Sequence, residues 1–378
     1  MRADLLLKTI SKGIDLVEKD VTGATLNHGK RVAVLCGLMG REMGLSDDDL
    51  TAFTTCALLH DSALTEWLSL RGNDEKGHCV IGQKNIKLLP FKSSVDGFIL
   101  YHHEYADGRG LFGKKTGEYP FKAELIGLAD RLDVEYNFSQ GISEIDYNQS
   151  YSLQAREIFG KILYKYHMEL KDENIDTAWL KYIPPWTISD NESVGIAKFM
   201  IKIIDAKSAF TARHSSGIAK KALVMSDFYH YDENTAARLY LAAALHDLGK
   251  LGVSSAVLEK PGSLTDNEFE QIKNHVRLTY YMLNDLEGFD DVKNWAANHH
   301  EKLDGTGYPF GKKADELDFN SRLMACIDIY QAVSEPRPYH DERSHEETMP
   351  ILYSMSQKGF IDEKIVNDIN IAFAAIEN

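Results

Sequence analysis

"DENTAARLYLAAALHDLGK", residues 232–250, opens on Asp and Asn, continues through an alanine- and leucine-rich interior, and carries a His-Asp pair just before Gly249. Acidic and amide residues favour a helix start, and the glycine marks the expected stop. An earlier stretch, "DDDLTAFTTCALLHDSAL" at 47–64, repeats the pattern with a His-Asp pair near its end. "AELIGLADRLDVEY" (123–136) and "SRLMACIDIYQAVS" (321–334) each set an Asp inside an apolar helix. β-branched alternation is nearly absent, so the reading is all-α.

The two halves repeat. His28, His60-Asp61, His78, His102-His103 and Asp130 are answered in order by His214, His246-Asp247, His275, His299-His300 and Asp328. His28 to His60 and His214 to His246 are both 32 residues, and His78 to His102 and His275 to His299 are both 24. The final Asp follows the first His of the pair by 28 and by 29 residues. Only the segment after His-Asp differs, 18 residues against 29, as a loop insertion between helices would. One such side chain alone reads as a hydrogen-bonded core residue, whereas five histidines and two aspartates in register read as a ligand set. The expected architecture is two tandem helical bundles, residues 1–185 and 186–378, divided near the proline-bearing "KYIPPWTISD" (181–190).

At 378 residues, with 44% hydrophobic and 26% charged residues, the chain can build two cores. No apolar run approaches the ~20 residues of a membrane span, so no membrane contact is expected. Cys36, Cys56, Cys79 and Cys326 stand singly, which fits a reducing cytoplasm. A net charge of −15 argues against binding a DNA or RNA polymer. It leaves a small anionic substrate open, because bound divalent ions set the local field.

An aspartate directly after a histidine at a helix end can bridge two ions while the imidazole binds one. Mixed imidazole and carboxylate donors without thiolate suit iron, manganese, zinc or nickel. Two such ions, about 3.5–4 Å apart, can polarise a phosphoryl oxygen and activate a water for hydrolysis of a phosphate ester.

Residues 195–378 resemble the HD-GYP phosphodiesterases, a branch of the HD phosphohydrolases that cleaves bacterial cyclic dinucleotides. The resemblance rests on "FTARHS", "HDLGK", "KNHV", "NHHEKLDGTGYPFG", "RLMACIDIYQAV" and "RPY". It implies metal ligation by His214, His246, Asp247, His275, His299, His300 and Asp328, with Asp247 and Lys250 catalytic. Lys250 would contact the substrate phosphate, with Gly307, Tyr308 and Pro309 lining the pocket and Arg337 a second phosphate clamp. Glu301 is expected to hold an imidazole. Some members add a third ion through a Glu four residues before the first His; Phe210 stands there, so two ions are expected, iron or manganese first, nickel or zinc next. Asp205, nine residues before His214, is left open. The implied substrate is cyclic di-GMP, cleaved to pGpG or GMP. The alternatives are 3′3′-cyclic GMP-AMP, a mononucleotide or polyphosphate, and a nonhydrolysing cyclic-dinucleotide effector. GGDEF-type cyclases touching the GYP loop and a homodimer are the further partners the resemblance allows.

The first half keeps His28, His60, Asp61, His78, His102, His103 and Asp130, a candidate second metal site, but loses the substrate apparatus. "HDLGK" becomes "HDSAL", placing Leu64 at the lysine, and "DGTGYPFG" becomes "DGRGLFG". No "RPY" follows Asp130. A structural or regulatory domain, sensing a ligand, oxygen or redox state, ranks above an enzyme on another phosphate ester. No receiver, PAS or GAF pattern precedes either copy, so any sensing falls to this domain.

Overall fold

The computed structural model describes residues 1–22, 25–69, 74, 76–135, 150–208, 213–260, 262–284, 286–336 and 341–374. The chain divides into two units, Arg2–Thr187 and Ile188–Asn378. Both are helical, and the described residues form isolated bridges but no strand. None of the described helices is long and apolar enough to cross a membrane. All four cysteines are free and buried.

In the first unit, α1 (Ala3–Thr22), α2 (His28–Glu42), α3 (Asp47–Leu58), α4 (Leu64–Ser69), α5 (Lys76–Ile86), α6 (Phe121–Glu135), α7 (Leu153–Tyr166) and α8 (Ile175–Tyr182) follow in order. The axis is α2, which packs on α1, α3, α6, α7 and α8 and is buried from His28 through Gly40. Its two buried cations are paired, Lys30 with Asp176 at 3.0 Å and Arg31 with Asp133 at 2.6 Å, as buried charges must be.

The second unit holds α9 (Asp190–Ala206), α10 (His214–Phe228), α11 (Glu233–Leu245), α12 (Ser255–Leu258), α13 (Asp266–Leu283), α14 (Asp290–Ala297), α15 (Phe319–Ser334), α16 (His345–Gln357) and α17 (Glu363–Ala374). Capping boxes Ser189/Glu192, Thr265/Glu268 and Ser344/Glu347 start α9, α13 and α16. Asp232 caps α11, accepting from the Thr235 amide at 2.8 Å. The alanine- and leucine-rich interior of α11 is buried against α9, α10 and α14.

The helix stops earlier than its composition predicts. Leu245 ends α11, His246 is its C-cap, and a 3-10 turn runs Leu248–Gly252, so Gly249 lies inside a turn. Successive residues of an α-helix point about 100° apart. Leaving the helix at Asp247 instead brings its carboxylate within 3.2 Å of His246 Nε2. The first copy behaves alike: α3 ends at Leu58, turns carry His60-Asp61, and α4 begins at Leu64. The longer second-copy segment after His-Asp holds the 3-10 turn, α12 and the Thr265 cap.

Candidate metal centre

Three imidazoles of the second unit are aimed by their own backbone. His246 Nδ1 donates to the Ala243 carbonyl at 2.8 Å, His275 to Ile272 at 2.5 Å, and His299 to Ala296 at 2.7 Å. A carbonyl only accepts, so the proton sits on Nδ1 and Nε2 presents a bare lone pair. All three Nε2 atoms are buried without a hydrogen-bond partner. A buried, unpaired acceptor is costly unless something electrophilic meets it.

Asp247 stands among them, 1% exposed. Its Oδ1 lies 3.1 Å from His275 Nε2 and 4.0 Å from His299 Nε2. Its Oδ2 lies 3.2 Å from His246 Nε2 and 4.0 Å from His214 Nε2. The two oxygens therefore face two ligand groups, His214 with His246 and Asp328, and His275 with His299 and His300. Donor atoms sharing one ion through bonds of about 2.1 Å stand about 3.0–3.4 Å apart. The spacings of 3.1 and 3.2 Å around Asp247 fit that, and its geometry suits a carboxylate between two cations. Burial opposes its charge, yet His246 and Lys250 hold its carboxyl well below the usual range.

His214 is held differently. Its Nδ1 donates to Glu335 at 3.0 Å, while its Nε2 stands 3.1 Å from Asp328. Burial works against a charged ring, but the flanking Asp328 and Glu335 outweigh it and push the pKa up to about 9. This corner demands a cation, a proton failing a metal. Removing Glu335's charge in a Glu335→Gln variant is expected to weaken metal binding 10- to 100-fold, measured by chelator competition.

The remaining second-unit candidates lie close by. Lys250 Nζ contacts Asp247 Oδ2 at 2.6 Å. The Tyr308 ring leans on His300, centroids 4.8 Å apart, and the Tyr308–Pro309 peptide is cis. Gly307 sits so near Glu301 that a Cβ would stand 2.5 Å from the Glu301 Cα. Arg337 and Phe210 lie outside the described residues. Asp205 caps α10, accepting from the Ser215 and Ser216 amides at 3.0 and 3.2 Å.

Glu301 corrects an expectation. It holds no imidazole; it is buried and ties down the loop, accepting from the Phe310 amide at 2.7 Å and the Lys312 amide at 3.0 Å. Glu104 does the same for Phe112 and Lys114 in the first copy. An acid here is needed because each loop turns two amides inward, in both copies, whatever the pocket residues. Glu301→Gln keeps one acceptor and loses the other, so kcat/KM should fall about tenfold at unchanged metal content in steady-state kinetics.

The first unit builds the same cluster more loosely. His60 Nδ1 donates to Ala57 at 2.9 Å and His102 Nδ1 to Ile99 at 2.6 Å, leaving both Nε2 atoms buried and unpartnered. Asp61 lies 3.6 Å from His60, 3.6 Å from His78 and 3.7 Å from His102. His28 Nε2 is 3.3 Å from Asp130, and His103 Nε2 faces His78 Nε2 at 3.1 Å. Leu64 is buried where Lys250 stands in the other copy.

Three acids escape the sequence reading. Asp133 receives His28 Nδ1 at 2.7 Å, the part Glu335 plays for His214. They follow the final Asp of each copy by 3 and by 7 residues, one and two helical turns on the same face. That spacing is the available signal. Glu18, on α1, puts Oε1 3.3 Å from His28 Nε2 and is 3% exposed; nothing in its sequence neighbourhood marks it. Cys79 adds a thiol beside the first cluster, its Sγ 3.3 Å from His78 Nε2.

Residues 25–135 and 198–365 each match the HD domain. Over 95% of its length the chain is 28% identical to 3′3′-cGAMP-specific phosphodiesterase 1 of Vibrio cholerae, covering 89% of that protein. It is 40% identical to 3′3′-cGAMP-specific phosphodiesterase 3 of the same organism, over 72% of this chain and 62% of that one. A Vibrio cholerae cyclic di-GMP phosphodiesterase is 39% identical over 37% of this chain and 29% of its own. In fold, a crystal structure of a cyclic GMP-AMP specific phosphodiesterase of Vibrio cholerae matches with a TM-score of 0.67 at 21% identity, covering 99% of this chain and 98% of that one. The chain belongs to the HD domain family as a tandem HD-GYP phosphodiesterase.

Proposed function

We propose that the second domain hydrolyses a 3′–5′ phosphodiester of a bacterial cyclic dinucleotide, using two divalent ions, iron or manganese, held by His214, His246, Asp247, His275, His299, His300 and Asp328. The observation that carries this is Asp247, whose two oxygens face two opposed groups of donors. When bound, such a pair of ions supplies Lewis acidity to the phosphoryl group and lowers the pKa of an attacking water.

The chain's own residues do the rest. Lys250 is anchored on Asp247, and its ammonium has further N–H donors for a phosphate oxygen. Its side chain is 18% exposed, so it stands between the cluster and solvent. Tyr308, packed on His300, walls the site, while Glu301 fixes the loop that carries it. Arg337 would be a second clamp on the phosphate.

Sequence alone puts cyclic di-GMP first. The relatives that share most of the chain's length carry the 3′3′-cGAMP name, whereas the cited cyclic di-GMP enzyme shares about a third. That moves 3′3′-cyclic GMP-AMP to the front, with cyclic di-GMP as the second substrate. The test is hydrolysis of both by protein reconstituted anaerobically with Fe(II) or Mn(II). Cleavage of 3′3′-cyclic GMP-AMP at the higher kcat/KM supports the reading. A metal-loaded protein that binds either dinucleotide and cleaves neither is an effector and overturns it.

A further inference from the structure

The first domain loses the lysine of its partner copy, yet a cavity of about 470 Å³ opens directly over its donor cluster. The floor includes Asp61, His103 and Asp130, with Glu18 beside them. The walls are Trp67, from α4, and Tyr105, from the loop after the His pair. Leu64 lines it at the place of the missing lysine, so no cation comes from that side.

A cation comes from the other side. Arg109, in "DGRGLFG", stands where the second copy has Thr306, and it lines the same cavity. Its guanidinium is positioned by Asp107, with Nε 2.5 Å from Oδ2, and lies over the Tyr105 ring at 5.7 Å. Nη2 also reaches Ser150 Oγ at 3.3 Å. Arg131 donates to the Tyr105 hydroxyl at 3.0 Å, fixing that ring from behind. A planar cation held at the rim of a donor cluster suits a phosphate, since metal and guanidinium grip opposite oxygens. An indole wall suits a flat base, which stacks on it whatever its identity.

Size selects among phosphates. Small-molecule sites span about 300–1,000 Å³. A cavity of about 470 Å³ takes one nucleotide and is short for a cyclic dinucleotide. We propose that the first domain binds a nucleoside 5′-monophosphate in this cavity, the phosphate between the metal-holding floor and Arg109, the base against Trp67. Glu18 completes the floor as an eighth donor, one that the second copy's ligand set does not contain. This site is separate from the phosphodiesterase reading and stands or falls without it.

The test uses the full chain carrying Asp247→Asn, loaded with Mn(II), so that nucleotide binding reports on the first domain. GMP, AMP, inorganic phosphate and cyclic di-GMP are titrated by calorimetry and by tryptophan fluorescence. The expected result is one equivalent of GMP or AMP, bound at least tenfold more tightly than inorganic phosphate or cyclic di-GMP. Adding Arg109→Ala or Trp67→Leu should weaken it tenfold or more, with Trp67→Phe retaining most of the affinity. No binding of GMP or AMP at millimolar concentration overturns the proposal. So does equal affinity for inorganic phosphate, tighter binding of cyclic di-GMP that Arg109→Ala weakens, or GMP and AMP affinity indifferent to Arg109. Circular dichroism and manganese content check each variant; if Trp67→Leu fails to fold, Arg109→Ala and Trp67→Phe decide the question.

Discussion

Replacing Asp247 by Asn is expected to reduce cyclic dinucleotide hydrolysis on the order of 1,000-fold, the loss of several kcal/mol of transition-state stabilisation. The carboxylate stands between both donor sets, with oxygens 3.1 Å from His275 and 3.2 Å from His246. An amide offers one weak oxygen donor and turns an NH₂ toward a lone pair, so one of the two proposed ions would lose a ligand and the charge between them would disappear. Lys250 loses its anchor in the same step. Metal analysis should show the second domain's share of metal gone and the first domain's retained. The parallel Asp61→Asn variant would instead remove whatever metal the first domain holds, and hydrolysis should fall less than tenfold. If both variants are equally silent while folded, catalysis is not the second domain's alone, and the two metal sites are functionally coupled.

What makes this prediction available is spacing. The order His, His-Asp, His, His-His, Asp survives in both copies because each donor must reach one point from a different helix, and helix lengths fix when the chain returns there. The all-α fold follows from the same helical stretches. The path of the chain at the cluster does not, because composition favours carrying α11 to Gly249 while the site requires leaving it at Asp247. Partners set by tertiary contact are marked faintly, as Glu335 is by its spacing from Asp328, or not at all, as with Glu18. Glu335 and Glu18 meet His214 and His28 across 121 and 10 residues of sequence, with no fixed interval linking the two cases. Glu301 misleads because a glutamate beside a histidine pair suggests an imidazole partner, whereas here two inward-facing loop amides claim it.

Gly249 carries the second large expectation. Its helix neighbour is α13, and a Cβ built on Gly249 would stand only 1.9 Å from the His275 carbonyl oxygen and 2.9 Å from Leu278 Cβ. The obstacle is backbone, and Gly249 N also donates to Thr279 Oγ1 at 2.9 Å, with that hydroxyl donating to the His246 carbonyl at 3.1 Å. No side-chain rotation relieves such a clash, so the 3-10 turn must move off α13. Gly249→Ala should therefore cost about 3 kcal/mol, at the upper end for overpacking, read as a lowered denaturation midpoint. The same movement pulls Asp247 from His275, so metal affinity and turnover should fall with stability. The first copy shows how the contact is otherwise made. Ala63 occupies the place of Gly249 and Gly82 that of Thr279, so the bulk has changed sides. There the His-Asp turn stands farther from its helix, with Asp61 3.6 Å from His78 against 3.1 Å for Asp247 and His275. Ala63→Gly deletes a buried methyl, so it should cost glycine's roughly 1 kcal/mol of added chain freedom plus about 0.8 kcal/mol for the lost burial. A Gly249→Ala protein as stable as wild type would mean that the turn has room to retreat, and that the tight approach of His275 to Asp247 is not held by this glycine.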